Sequence, residues 1–263
     1  MMTRIEKKFA ALKSAKKKGL VIYLMAGVPD VQGTIEAVKM AERAGADFIE
    51  IGLPFSDPLA DGPVIQEAGI RALKGGMTLA GVLDLVKELR KFTEIPLIGM
   101  GYINNVLHYG AERFVADAKA AGLDGAILPD VPHEESAELR EICAKQDFRL
   151  IEFVTPGTTP DRLTQTCGSA NGFIYAVSVN GVTGEKKIDY SVIGKVAREV
   201  RAHTDVPIAV GFGIGSPEAA VDAAKDADAV IVGSAVVRRL MDGKTQEAES
   251  FVASLRSALD AAY

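Results

Sequence analysis

The stretch F-I-E-I-G-L-P-F-S-D-P-L-A-D-G-P, residues 48–63, sets one acid inside an apolar β run and a second in the loop that follows. Side chains alternate across a strand, so Ile49 and Ile51 point one way while Phe48, Glu50 and Gly52 point the other. A carboxylate among apolar neighbours is costly to ionise and its pKa rises. That is the condition for proton transfer near neutral pH. The bland alternative for Glu50 is an acid satisfied by hydrogen bonds inside the fold. Asp61 is read either as a second functional carboxylate or as a helix cap, since Asp before Gly62-Pro63 suits a helix start. Pro54 and Pro58 stiffen the loop between them, and Asp57 reads most simply as a turn residue.

Glycines mark the other loops with chemical promise. Asn180-Gly181-Val182-Thr183-Gly184, Gly211-Phe212-Gly213-Ile214-Gly215 and Gly233-Ser234 each follow an apolar run, and Ser216-Pro217-Glu218 opens a helix after the second of them. Backbone N–H groups freed at glycines beside a helix N-terminus favour an anion. The first of these loops has the composition of a lid. Tyr102, in Gly99-Met100-Gly101-Tyr102, reads as a pocket wall or as ordinary packing. Asp130 reads as a turn residue, and Glu152, within another apolar run, is a rival buried acid with no second acid close behind it.

One unit repeats along the chain to position these residues. Apolar β runs at Leu20–Leu24, Phe48–Ile51, Leu97–Met100, Ala126–Leu128, Leu150–Val154, Phe173–Val177, Ile208–Val210 and Val230–Val232 alternate with amphipathic helical stretches. Those stretches are Thr34–Ala44, Leu79–Lys91, Ala111–Ala121, Glu134–Lys145, Pro160–Thr166, Ser191–Ala202, Glu218–Ala224 and Gln246–Ala261. Eight buried-type strands alternating with helices over about 250 residues predict a closed α/β (β/α)8 TIM barrel. An extra N-terminal helix, within Arg4–Lys18, presents Ile5, Phe9 and Leu12 on one face. An open doubly wound sheet is disfavoured, since no G-x-G-x-x-G opens the first helix. With no linker or low-complexity segment, residues 1–263 read as one domain. In such barrels chemistry belongs to the loops at the C-terminal ends of the strands, where both acids and all three glycine loops fall.

Composition narrows the function classes. The 263 residues are 48% hydrophobic and 25% charged with a net charge of −5, which argues against a nucleic-acid surface. The longest apolar stretch, Leu20–Val28, is too short to span a bilayer, and Met1–Lys8 lacks a secretory core. A cytoplasmic protein is expected. Lys16–Lys18 read as a solvated helix end. Cys143 and Cys167 suit reduced, buried thiols, and His108, His133 and His203 show no metal-ligand spacing.

Taken together, E-x-G-x-P-F-S-D-P-L-A-D-G-P at Glu50–Pro63, G-V-T-G at Gly181–Gly184, G-F-G-I at Gly211–Ile214 and G-S-A at Gly233–Ala235 closely resemble the tryptophan synthase α-subunit family. The resemblance runs from the N-terminal helix through Leu240, departing from the family pattern in Tyr102-Ile103-Asn104-Asn105 and Val179-Asn180. It implies cofactor-free retro-aldol cleavage of indole-3-glycerol phosphate to indole and glyceraldehyde 3-phosphate. Glu50 would move the protons and Asp61 would hold the indole N–H. Gly184, Gly213, Gly233 and Ser234 would take the phosphate, with Tyr102, Tyr175 and Thr183 around the substrate. It also implies a β-subunit partner, in an α2β2 assembly, that carries the pyridoxal phosphate and is met near Asp57, Pro58, Asn104 and Pro132. Two other readings keep the barrel: a stand-alone indole-releasing lyase, and a non-catalytic phosphate-binding barrel that activates a β partner.

Overall fold

The computed structural model describes residues 2–177, 190–211 and 213–263. Helix α1 (Arg4–Ser14) leads into β1 (Gly19–Met25), α2 (Val31–Arg43), β2 (Phe48–Gly52), α3 (Pro63–Lys74), α4 (Leu79–Leu89) and β3 (Leu97–Met100). There follow α5 (Ile103–Tyr109), α6 (Ala111–Ala121), β4 (Gly125–Ile127), a 3-10 turn (His133–Glu135), α7 (Ala137–Lys145), β5 (Arg149–Val154), α8 (Pro160–Ser169) and β6 (Ile174–Val177). The chain ends with α9 (Tyr190–Arg201), β7 (Ile208–Gly211), α10 (Pro217–Ala224), β8 (Ala229–Val232), α11 (Ser234–Met241) and α12 (Thr245–Ala262). The strands are all parallel and close in chain order, β8 pairing back onto β1. The expected (β/α)8 barrel with an extra N-terminal helix is the observed fold.

Strand alternation divides the core in two. Val21, Phe48, Ile98, Ile127, Ile151, Tyr175, Ala209 and Ile231 pack inside the barrel, while Ile49, Ile51, Leu97 and Val230 pack outward under the helices. The predicted apolar face of α1 joins the inner set. Phe9 lies 4.6 Å from the Phe48 ring and 5.9 Å from that of Phe173. These aromatics stand at the N-terminal ends of their strands, so α1 plugs that end. Buried Asp124 fastens the plug by bonding Arg90 at 2.8 Å, Arg4 at 3.2 Å and the Leu97 N–H at 3.0 Å. The opposite end carries the functional loops.

Several expectations need correction. The first helix ends at Ser14 rather than near Lys18, because Lys16 takes a positive φ of 56° that turns the chain toward β1. The stretch expected as one helix over Glu134–Lys145 is a 3-10 turn followed by α7, with Ser136 between them. Helices α3 and α5 extend two loops that were not among the amphipathic stretches. Short α5 buries only Val106, too little apolar stripe to register as a period. Among the described residues no helix is long and apolar enough to cross a membrane.

Candidate active site

Glu50 stands on the inner face of β2, two residues beyond Phe48 of the barrel interior, with 1% of its surface exposed. Its strand neighbours are Tyr23 on one side and Ile98 on the other. Neither carboxylate oxygen has a hydrogen-bond partner among the described residues. With nothing to stabilise the anion, burial pushes the carboxyl from 4.5 up to about 8. At neutral pH Glu50 therefore carries its proton, and it is poised to give one up and take it back.

Two buried tyrosines frame this acid. A Cβ on Gly52 would lie 2.2 Å from Tyr23 Oη, and one on Gly211 would lie 2.1 Å from Tyr175 Oη, so each phenol occupies space that only a glycine leaves open. Among the described residues the Tyr23 hydroxyl finds the Met25 sulfur, at 3.9 Å. Tyr175 stacks on Phe153 with ring centroids 5.0 Å apart. Burial first, and then the Glu50 and Asp61 charges, hold both phenols well above their ordinary range. Tyr175 was anticipated and Tyr23 was not. The signal was available, since Gly19, Val21, Tyr23 and Met25 share one face of β1 by simple alternation.

Asp61 comes to the same mouth from the β2–α3 loop. It does not cap α3: the N-cap is Gly62, and no side-chain cap bond is made there. The loop is held instead by its own backbone and its neighbour. The Asp61 N–H donates to Pro58 O at 3.2 Å, Leu53 N–H to Met100 O at 2.7 Å, and Ala60 N–H to Tyr102 Oη at 3.0 Å. Burial raises the Asp61 carboxyl from 3.8 to about 6, with the Tyr102 hydroxyl acting in the opposite direction. Asp61 is therefore mostly ionised at neutral pH while Glu50 is mostly protonated. Two carboxyls whose environments push them apart in this way can divide acid and charge-stabilising roles.

The glycine-flanked start of α11 stands on the other side of β1 from Glu50. Helix α11 starts at Ser234, and its first-turn N–H groups have no intrahelical acceptor. Those of Val236 and Val237 return to the Gly233 carbonyl at 2.9 and 3.0 Å. Ser234 and Ala235 belong to the same first turn, where N–H groups favour an anion. Gly213, exposed and with φ +71°, holds a left-handed turn after β7 that favours glycine. Tyr190 Oη donates to its carbonyl at 3.3 Å. Tyr23 links the cradle to the acid, because its backbone pairs with Glu50 and its ring lies against Gly233. With one strand between β2 and β8, the Glu50 and Gly233 backbones stand about 10 Å apart at ordinary strand spacing. Thr183 and Gly184 lie outside the described residues.

The remaining candidates separate. Glu152 points outward from β5, where His133 Nδ1 and Ser169 Oγ each lie 3.2 Å from Oε1, so the rival acid is tied up away from the barrel interior. Asp130 accepts the Ile103 N–H at 3.1 Å on both oxygens, a cap for α5 supplied from the neighbouring loop. Asp57, Asn104 and Pro132 are exposed and Pro58 is half-buried, on three consecutive loops of the mouth. Leu59 beside them is 87% exposed. Both cysteines are buried and free, and burial raises both thiols.

Comparison with known proteins agrees along nearly the whole chain. The family profile described as "Tryptophan synthase alpha chain" matches residues 9–262. The tryptophan synthase alpha chain of Desulfatibacillum aliphaticivorans is 47% identical over 237 residues, 90% of this chain and 89% of that one. Among solved structures, tryptophan synthase subunit alpha from Legionella pneumophila superposes with a TM-score of 0.92 at 35% identity, covering 99% of this chain and 100% of the other. A Mycobacterium tuberculosis tryptophan synthase structure gives 0.91 at 32% identity, over 98% and 99%.

Proposed function

The chain belongs to the tryptophan synthase alpha chain family and is a lyase of tryptophan biosynthesis that cleaves indole-3-glycerol phosphate; from that premise we propose that Glu50 and Asp61 carry the reaction. Glu50, protonated at neutral pH, donates to the indole carbon that bears the glycerol chain. The ring nitrogen becomes cationic, and Asp61, ionised beside it, accepts the N–H bond and offsets the positive charge. The Glu50 carboxylate just formed then takes the proton from the hydroxyl on the carbon attached to the ring. The electron pair of that O–H bond forms the aldehyde C=O. The C–C pair returns to the ring, releasing neutral indole and glyceraldehyde 3-phosphate. Glu50 ends protonated, as it began.

The phosphate sits on the backbone of Gly213, Gly233 and Ser234, with Gly184 joining it and Thr183 standing by the substrate on family resemblance. Tyr175 and Tyr102 form walls around the substrate. No cofactor enters the scheme. The pyridoxal phosphate of the complete synthase belongs to a β subunit, which docks in an α2β2 assembly on the face carrying Asp57, Pro58, Asn104 and Pro132. The exposed Leu59 supports such a contact, since an apolar side chain at the tip of a polar loop suits a protein surface. A cytoplasmic location accompanies that role.

The observation that carries this reading is the buried Glu50 carboxyl on the inner face of β2, with neither oxygen bonded among the described residues. Glu50→Gln keeps the shape and removes the proton shuttle. Indole release from indole-glycerol phosphate should then be abolished while binding of glycerol phosphate persists. Turnover unchanged from the parent would refute the assignment. Assays with and without added β subunit separate the subunit from a stand-alone lyase.

A further inference from the structure

Asp61 is held by a clamp that extends across three loops, and the retro-aldol scheme makes no use of it. Tyr102 Oη accepts the Ala60 N–H at 3.0 Å. A phenol oxygen that accepts one bond still has its own proton to donate, and the carboxylate next along the loop is Asp61. The Tyr102 ring is 4% exposed and stacks on Phe55 with centroids 5.3 Å apart and planes inclined by 24°. Asn105 Nδ2 adds a bond to Pro54 O at 3.3 Å. The β2–α3 loop is thus fastened at its start, through Pro54 and Phe55, and near its end, through Ala60, to Tyr102 and the first turn of α5.

That turn is itself held from the next loop. Ile103, directly after Tyr102, gives its N–H to both Asp130 oxygens at 3.1 Å. Without Asp130 the first N–H of α5 would lack this acceptor, and the Tyr102 backbone would lose its fixed point.

We propose that Tyr102 is a positioning residue that holds and hydrogen-bonds Asp61, and that Asp130, through Ile103, fixes where Tyr102 stands. The inference rests on the catalytic assignment of Asp61 above. It gives Tyr102 a task beyond lining the pocket and gives Asp130 a task beyond forming a turn.

The test is indole release measured from about pH 5 to pH 9 for Tyr102→Phe, Asp130→Ala and Asp61→Asn. Phenylalanine keeps the stack on Phe55, and Asp130 is exposed, so both positioning variants retain the fold; near-ultraviolet circular dichroism checks this. In Tyr102→Phe the acidic limb of kcat/KM moves to higher pH by about one unit, because a hydrogen bond to the charged carboxylate is lost. On the plateau kcat falls about tenfold while KM changes little, the pattern of a misplaced group rather than lost ground-state binding. Asp130→Ala shifts the same limb in the same direction by less. A Tyr102→Phe enzyme with the parental limb and kcat, beside an inactive Asp61→Asn, would overturn the proposal and leave Tyr102 as a wall. Parental turnover in Asp61→Asn would instead remove the catalytic assignment of Asp61 and the clamp's purpose with it.

Discussion

Replacing Glu50 by Gln should change the protein's stability in a way that depends on pH, independently of any effect on turnover. The folded protein holds this carboxyl at about 8, against 4.5 when unperturbed. The unfolded chain therefore loses the proton first as pH rises. Stability associated with the protonated group is fully present below the unfolded value and is lost as pH rises toward the folded one. At 1.36 kcal/mol for each unit of difference, the full span is about 5 kcal/mol, and about 3.5 kcal/mol of it develops between about pH 5 and pH 8. Glutamine cannot titrate, so its amide carries a cost that is constant with pH. Urea unfolding of parent and variant at closely spaced pH values gives the difference directly, provided m is unchanged. The variant should gain on the parent by about 3.5 kcal/mol over that range. A difference flat to within about 1 kcal/mol would show that the carboxyl is hydrated or paired, and the argument for a neutral, proton-donating Glu50 would fail.

The same two carboxyls predict a bell-shaped kcat/KM profile. Activity needs Asp61 ionised, above about 6, and Glu50 protonated, below about 8, so the optimum falls near neutrality; a profile still rising well past the upper limb would reverse the starting state of Glu50. Gly52→Ala should cost about 1–3 kcal/mol by overpacking, since the new methyl would meet Tyr23 Oη at 2.2 Å and Cζ at 2.7 Å. In a Tyr23→Ala background that cost should shrink by at least about 1 kcal/mol in a double-mutant cycle, and equal costs in both backgrounds would refute the close approach. Phe9→Ala empties the plug beneath Phe48 and Phe173 and should lower stability by about 3–5 kcal/mol, read from the urea midpoint. A loss below about 1 kcal/mol would mean that α1 is not part of the core.

Much was legible in the residues alone. Buried parallel strands are short runs of β-branched and aliphatic residues between glycines, prolines and polar loops. Eight of them could therefore be counted and bounded to within a residue or so, and closure followed from their number. Period-two alternation put Glu50 with Phe48 on one face of β2, and both do point inward. The three glycine loops stood out because freedom to adopt positive φ, or to leave an N–H uncovered, is a property of residue type. Helix α5 did not stand out, because seven residues with one buried side chain carry no readable period.

What the linear chain could not decide was which partners meet. Whether Asp61 caps a helix or faces the barrel mouth depends on Tyr102, which accepts the preceding N–H from a different loop. Whether Glu50 or Glu152 is the perturbed acid depends on facing: both lie in apolar runs, yet the first has no hydrogen-bond partner among the described residues while the other meets His133 and Ser169 outside the barrel. Tyr23 joins the site because closure brings β8 beside β1 and sets Gly233 against its ring. Residue type and spacing specify the conformations that a segment can adopt. The pKa of an acid and the reach of a phosphate cradle are set by neighbours distant in sequence, and only closure of the barrel supplies them.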